Sequence, residues 1–200
     1  MMAGEIDGYS LDKRFIRKGG DIVYVHVTIA CYRVKGQVQF AIAGILDITE
    51  RKLAEESLQL ASMVYQNSSE AMVVTDSDGE IITTNPAFTE ITGYSQNDVK
   101  GKSPKLLLSH HQNDNVIQDM LRTLNNRGHW QGEIQKCHKS GKAYTALLTV
   151  NSIYNSDGTT HRRVAQFSDI SDKKKSDEII WTQANFDALT GLPNRHMFLN

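Results

Sequence analysis

The sequence predicts an α+β fold: an antiparallel five-stranded sheet with helices on one face. Three observations predict it. First, a segment repeats. FIRKGGDIVYVHVTIACYRVKGQVQFAIAGILDITERK, from Phe15 to Lys52, returns as KCHKSGKAYTALLTVNSIYNSDGTTHRRVAQFSDISDKKK, from Lys136 to Lys175. Each copy runs from a basic residue and a Gly turn through two β-rich stretches to Asp-Ile-Thr or Asp-Ile-Ser and a charged helix start. Second, the strand-like stretches are joined by hairpin signals, which favours antiparallel pairing. Third, the helix signals fall between two groups of strands.

In chain order, Ile22 to Ala30 and Val38 to Ile48 are rich in β-branched and aromatic residues, with Lys35-Gly36 as the turn between them. Such a two-strand unit buries too little by itself, so it is expected to be the end of a domain. Thr49 has the chemistry of a helix N-cap, and Glu50 suits the first turn. Leu53 and Leu60, and Ala54 and Ala61, recur at seven-residue spacing, and Val64 continues the stripe of an amphipathic linker helix. A complete domain follows. Ala71 to Thr75 and Glu80 to Thr84 are short strands joined by Asp76-Ser77-Asp78-Gly79. Asn85-Pro86 starts a short helix with Phe88 and Ile91 on one face, and Gly93 ends it. Ser109-His110-His111-Gln112 fits a capping box. It opens a longer helix with an apolar stripe of Val116, Ile117, Met120, Leu121 and Leu124, closed by Gly128. Trp130 to Lys136, Tyr144 to Ile153 and Arg163 to Ile170 are the last three strands, separated by Ser140-Gly141 and Ser156-Asp157-Gly158.

Composition narrows the class. Of 200 residues, 40% are hydrophobic, enough for a packed core, and the net charge of −1 gives no reason to expect a nucleic-acid partner. Lys173-Lys174-Lys175 is followed by Asp177 and Glu178 and reads as a solvated helix face. Cys31 and Cys137 are too far apart for a metal or redox pair and fit a reduced, cytoplasmic chain. No apolar run approaches the ~20 residues of a membrane span, so no membrane segment is expected.

Three stretches carry a resemblance: TDSDGEIITTNPAFTEITGYS at 75–95, GHWQGEIQKCHKSGKAY at 128–144 and VAQFSDISDKKK at 164–175. In this order and spacing they resemble the PAS sensor domain, over residues 62–172. Residues 1–50 resemble the last strands of a preceding PAS domain, its PAC motif. FDALTGLPNRHMFLN, 186–200, resembles the opening of a GGDEF domain, the catalytic domain of diguanylate cyclases. The implied layout is 1–50 from a first PAS domain, 51–61 a linker helix, 62–172 a complete PAS domain, 173–186 a signalling helix, and 187–200 the start of a GGDEF domain. The GGDEF signature loop lies outside these residues, so the stretch itself is not expected to be an enzyme. The resemblance implies a sensory module that relays a signal to a diguanylate cyclase through a dimerising helix. The alternative is a ligand-free dimerisation spacer within a cyclic di-GMP synthesis or hydrolysis enzyme.

The resemblance also places a ligand, if one is held, between sheet and helices. The candidate walls are Phe88, Ile91, Tyr94, Leu106, Leu107, Ile117, Met120, Leu121, Trp130 and Ile134, a set whose helical and strand spacing reads first as plain core. No cofactor is assigned. Haem on His110 or His111 and flavin beside Trp130 are the alternatives, and the absence of Cys from Gly101–Leu108 argues against light-driven adduct chemistry. No metal site is expected. His129 and His138 read as surface residues and Cys137 as structural. For signal relay the candidates are Asp169 and Ser171, with Ser171 capping helix amides and Asp169 bracing the turn; Asp47 and Thr49 are their counterparts. Ile179, Thr182, Phe186 and Leu189 fall at three- and four-residue steps, as in the seam of a homodimer.

Overall fold

A computed structural model describes residues 8–109, 114–187, 191–194 and 197. The chain divides into two compact units, Met1–Met63 and Val64–Asn200.

The first unit is an antiparallel meander of β1 (Gly8–Ile16), β2 (Ile22–Val34) and β3 (Gln37–Asp47), in the order β1-β2-β3. Lys35 (φ +50°) and Gly36 (φ +79°) make the β2–β3 turn with both central residues left-handed, which matches the twist of a two-residue hairpin. β1 corrects the two-strand expectation. Tyr9, Leu11 and Phe15 alternate with polar residues along it, a weak period of two inside a stretch whose composition reads as polar and mixed. Val23, Val25 and Val27 are buried on one face of β2. Helix α1 (Thr49–Asn67) follows; its Leu53, Leu60 and Val64 are each more than half exposed.

The second unit holds β4 (Ala71–Thr75), β5 (Ile81–Thr84), α2 (Pro86–Thr92), α3 (Gln96–Val99), a 3-10 turn over Pro104–Leu107, α4 (Asp114–Arg127), β6 (His129–Cys137), β7 (Ala143–Tyr154), β8 (Thr160–Asp169) and α5 (Ser171–Asn185). Its sheet is five-stranded and antiparallel throughout, in the order β5-β4-β8-β7-β6. The predicted fold class is therefore the observed one. The two ends of the chain's sheet-forming sequence meet where β4 pairs with β8, so β4 and β8 are central and β6 is an edge.

Local chemistry explains the elements. The Asp76 carboxylate accepts from Glu80 N–H at 2.8 Å and Gly79 sits at φ +84°, which closes the β4–β5 hairpin. Asn85 is almost fully buried and completely engaged. Its Oδ1 accepts from Phe88 N–H (3.1 Å), capping α2, and from Met72 N–H (2.8 Å), while its Nδ2 donates to the carbonyls of Glu70 (2.9 Å) and Tyr65 (3.2 Å). One side chain thus joins the end of α1, β4 and the start of α2. Gly93 ends α2 at φ +73°, and a Cβ there would lie 2.5 Å from the His138 ring. The core gathers Val73, Ile81, Phe88, Val99, Leu107, Leu124, Ile134 and Phe167, with Phe88 edge-on to Phe167 at 6.3 Å. The capping box at Ser109–Gln112, including His110 and His111, lies outside the described residues except for Ser109, whose N–H donates to the Gln135 carbonyl.

The seam proposed along α5 needs correction at one position. The helix ends at Asn185; Phe186 is extended (φ −125°, ψ 148°) and packs on Trp181 at 5.5 Å. Leu189 lies outside the described residues. Ile179, Ile180 and Trp181 are each more than half exposed. At ~100° per residue they spread around the helix instead of forming one narrow stripe. Among the described residues, no helix is long and apolar enough to cross a membrane.

Candidate functional site: an apolar cavity and two strand-to-helix junctions

The inward face of the five-stranded sheet bounds a cavity of about 360 Å³, at the small end of the range for small-molecule sites. Val73 and Thr75 (β4), Ile134 and Lys136 (β6), Leu148 and Val150 (β7), and Arg163, Ala165 and Phe167 (β8) form the floor. Ile117, Met120, Leu121 and Leu124 of α4 cover it, and Pro104, Leu107 and Leu108 close one side. The exposed lining residues, Asp78, Ser103, Lys105 and Leu121, mark the mouth.

Of the sequence candidates, Leu107, Ile117, Met120, Leu121 and Ile134 line this cavity. Phe88, Ile91, Tyr94, Leu106 and Trp130 belong to the surrounding core. The Trp130 indole lies across Gly132, which leaves room for it: an added Cβ there would sit 2.6 Å from the ring. Cys137 is a half-buried free thiol, and the exposed His129 pairs with Asn151 at 2.8 Å.

Two cationic residues in the lining were not singled out by the sequence. Lys136 is 4% exposed. Its ammonium lies 4.1 Å from the centre of the Phe167 ring and has no ion-pair or side-chain hydrogen-bond partner among the described residues. Burial pushes its pKa down to about 7 from the usual 10.5. Arg163 has a buried Nε without a hydrogen-bond partner among the described residues. A period-two reading was available for both: Lys136 follows Trp130, Gly132 and Ile134 on one face of β6, and Arg163 precedes Ala165 and Phe167 on β8. Their residue types suggest a surface position, and that masked the pattern.

The two junctions share one geometry. At the end of β8, the Asp169 carboxylate accepts from Ser171 N–H at 2.8 Å, so it braces the turn. The Ser171 hydroxyl does not cap α5, which corrects the expected role; it accepts from Thr145 N–H on β7 at 3.0 Å, while Ile170 N–H donates to the Thr145 carbonyl at 2.9 Å. In the first unit, Asp47 accepts from Thr49 N–H (2.9 Å), Thr49 Oγ1 accepts from Tyr24 N–H (3.0 Å), and Ile48 N–H donates to Tyr24 O (2.9 Å). Thr49 likewise serves the strand and not its own helix. The hydroxyl is used this way because the first residues of β2 and β7 have no β-ladder partner on that side and need an acceptor for their N–H. The Asp47 carboxyl is held below its ordinary range first by hydrogen bonding with Thr49 and then by the Arg17 charge.

A second contact is repeated as well. Lys174 in the first turn of α5 bridges to Glu133 on β6. Lys52 in the first turn of α1 bridges to Asp12 on β1 at 3.7 Å. Glu133 and Asp12 hold matching positions, opposite Leu147 and His26 in their ladders. The cavity lies close by on the same strands. Lys136 is the register partner of Tyr144, and Thr145 is the next residue. Tyr144 is buried, and burial, followed by the Asp169 charge, pushes its pKa up.

A five-stranded antiparallel sheet enclosing a small cavity under helices, with its last strand clamped to an outgoing helix, is the architecture of a sensory domain. The chain belongs to the PAS domain family: the family model for the PAS domain matches residues 3–50 and again 69–172. Among relatives, the chain is 29% identical over 119 residues to a nitrogen fixation regulatory protein of Klebsiella oxytoca, covering 60% of this chain and 24% of that protein. It is 24% identical over 131 residues to a probable diguanylate cyclase of Escherichia coli, covering 65% and 12% respectively. The PAS domain of a Colwellia psychrerythraea protein superposes with a TM-score of 0.55 at 24% identity, covering 58% of this chain and 98% of that one. The chain thus spans about a quarter or less of the length of these curated relatives, and it is a PAS sensory module.

Proposed function

We propose that residues 62–172 sense a small molecule in the cavity and that the β8–α5 junction passes the change to a GGDEF diguanylate cyclase domain opening at residue 187, in a cytoplasmic homodimer paired through its PAS and signalling helices. Residues 1–50 are the end of a first PAS domain and 51–61 a linker. The observation that carries this reading is the repeated clamp. Both strand-to-helix junctions use an Asp, a hydroxyl residue two positions on, and the first residues of the middle strand of the meander, although the surrounding residues differ. Independent pairs, Asp12–Lys52 and Glu133–Lys174, then tie the first helical turn to the edge strand. A shift of β6 or β7 at the cavity therefore changes the anchoring of α5 directly. The residues 187–195, DALTGLPNR, support a GGDEF output, as does likeness to a probable diguanylate cyclase. Two such domains must face each other to join two GTP molecules, so a helix that sets their pairing is a fitting control element.

The parent protein, assayed for conversion of GTP to cyclic di-GMP, tests the reading. Activity is expected, and Ser171→Ala is expected to change it several-fold with the GTP affinity unaltered. A parent without cyclase activity removes the output assignment. Unaltered activity in Ser171→Ala and Asp169→Asn removes the relay and leaves the PAS part as a spacer.

A further inference from the structure

We infer that the cavity takes a small apolar monocarboxylate, with its carboxylate on Lys136 and its hydrocarbon body against Leu107, Met120, Leu124 and Leu148. The inference rests on reading this cavity as the sensory site and specifies the chemistry that it reads.

Four observations lead to this class. Lys136 is 4% exposed and lines the cavity, with its ammonium over the face of the Phe167 ring. A buried ammonium is normally ion-paired, and no described residue supplies the counter-charge. Arg163, the other lining cation with a buried polar atom, pairs with Thr75 and Ser152, eight positions along β7 from the Tyr144 opposite Lys136, so it stands at the other end of the cavity. The acid in the lining, Asp78, is exposed at the mouth, where Lys105 stands as well. Lys136 is therefore the cation that faces the apolar part of the wall.

Each feature excludes an alternative. A neutral apolar ligand fills the space and leaves the ammonium unpaired in a low-dielectric pocket. A phosphate has no apolar body to set against this wall, and a dicarboxylate would press its second carboxylate on apolar side chains, because among the described lining residues the other buried polar group is the Thr75 hydroxyl. One carboxylate gives Lys136 its counter-charge, and the apolar wall takes the chain. The depressed pKa of Lys136 agrees with this: the empty site sheds the proton that a bound carboxylate would restore. The event is placed for transmission. Lys136 pairs with Tyr144, next to Thr145, whose N–H holds the Ser171 hydroxyl.

The test is calorimetric titration of the full chain at pH 7 with decanoate and 4-phenylbutyrate, each against its primary amide. The acids are expected to bind at least about 30-fold tighter than the amides, and Lys136→Met to weaken acid binding about 100-fold, the usual scale for losing one partner of a buried charge pair. Amide affinity should stay within about threefold in that variant. Arg163→Met, at the other end of the cavity, is the control and should leave acid affinity within about threefold, and Trp130 fluorescence checks that both variants are folded. Equal affinity for acids and amides, or no selective loss in Lys136→Met, overturns the carboxylate assignment and leaves a sensory cavity of another specificity. If neither acids nor amides bind, the small-molecule reading of the cavity falls with it.

Discussion

Replacing Lys136 with Met is expected to stabilise the second unit, by an amount that depends on pH. In the folded chain burial lowers the Lys136 pKa from 10.5 to about 7. At about 1.4 kcal/mol per pH unit, that drop corresponds to ~5 kcal/mol of destabilisation while the lysine is protonated in both states. The sign follows from proton counting. Between pH 7 and 10.5 the unfolded chain binds the proton and the folded chain has released it, so stability rises with pH. The cost is fully present below pH 7, fades through that window and is gone above 10.5. Met keeps a flexible chain of similar length over Phe167 and loses the cation–π contact, worth about 1–2 kcal/mol. The net gain at pH 7 is therefore ~3 kcal/mol, and the wild type should recover ~2 kcal/mol of the difference by pH 9. Urea unfolding followed by tryptophan fluorescence suits this measurement, because both tryptophans, Trp130 and Trp181, lie in the second unit. Asp78, Lys105 and Arg163 share the cavity; they are common to both proteins, so the difference curve isolates Lys136. A Met variant less stable than wild type, or a difference that does not shrink from pH 7 to 9, would refute the claim that Lys136 is buried without a counter-charge.

Further outcomes follow from other contacts. Asn85→Ala removes the α2 cap and leaves buried backbone groups of Met72, Glu70 and Tyr65 without partners, so a loss of about 3 kcal/mol is expected in urea unfolding; a loss below 1 kcal/mol would contradict the network. Ser171→Ala leaves the Thr145 N–H without its acceptor and should cost about 1–2 kcal/mol, with faster hydrogen exchange at Thr145; unchanged exchange there would count against the clamp. The Asp98 carboxyl is held well below its ordinary range first by Lys139 at 2.8 Å and then by the Ser95 backbone and hydroxyl. Its contribution is present above the unfolded carboxyl pKa and is lost as pH falls through the lower folded value. In Lys139→Ala, an NMR titration of Asp98 should shift up toward the usual range, and an unmoved titration would assign the effect to Ser95 alone.

Much of the fold was legible in the sequence because its signals are local. The Asn85-Pro86 start, the Gly93 stop, the Asp76–Gly79 hairpin and the three C-terminal strands follow from capping, left-handed turns and period-two alternation, which depend on neighbours within a few residues. β1 escaped because Gly8–Ile16 alternates only weakly. Aspartate and hydroxyl residues at the junctions were legible as a repeated pair, but their partners were not. Ser171 reads as a helix cap by composition, and only the pairing of β7 with β8 brings the Thr145 N–H within 3.0 Å of its hydroxyl. The cavity wall was half legible: helical and strand spacing marks Leu107, Ile117, Met120, Leu121 and Ile134 as apolar and inward, yet it does not separate cavity from core. That separation depends on packing across the sheet, as where Trp130 folds over Gly132. Lys136 and Arg163 depended most on tertiary structure. A lysine at a strand end faces solvent unless the helices and the 3-10 turn cover it. Covalent sequence fixes its position on the inward face of β6, but burial, and with it the missing counter-charge, arises only when Leu108, α4 and Phe167 close around it.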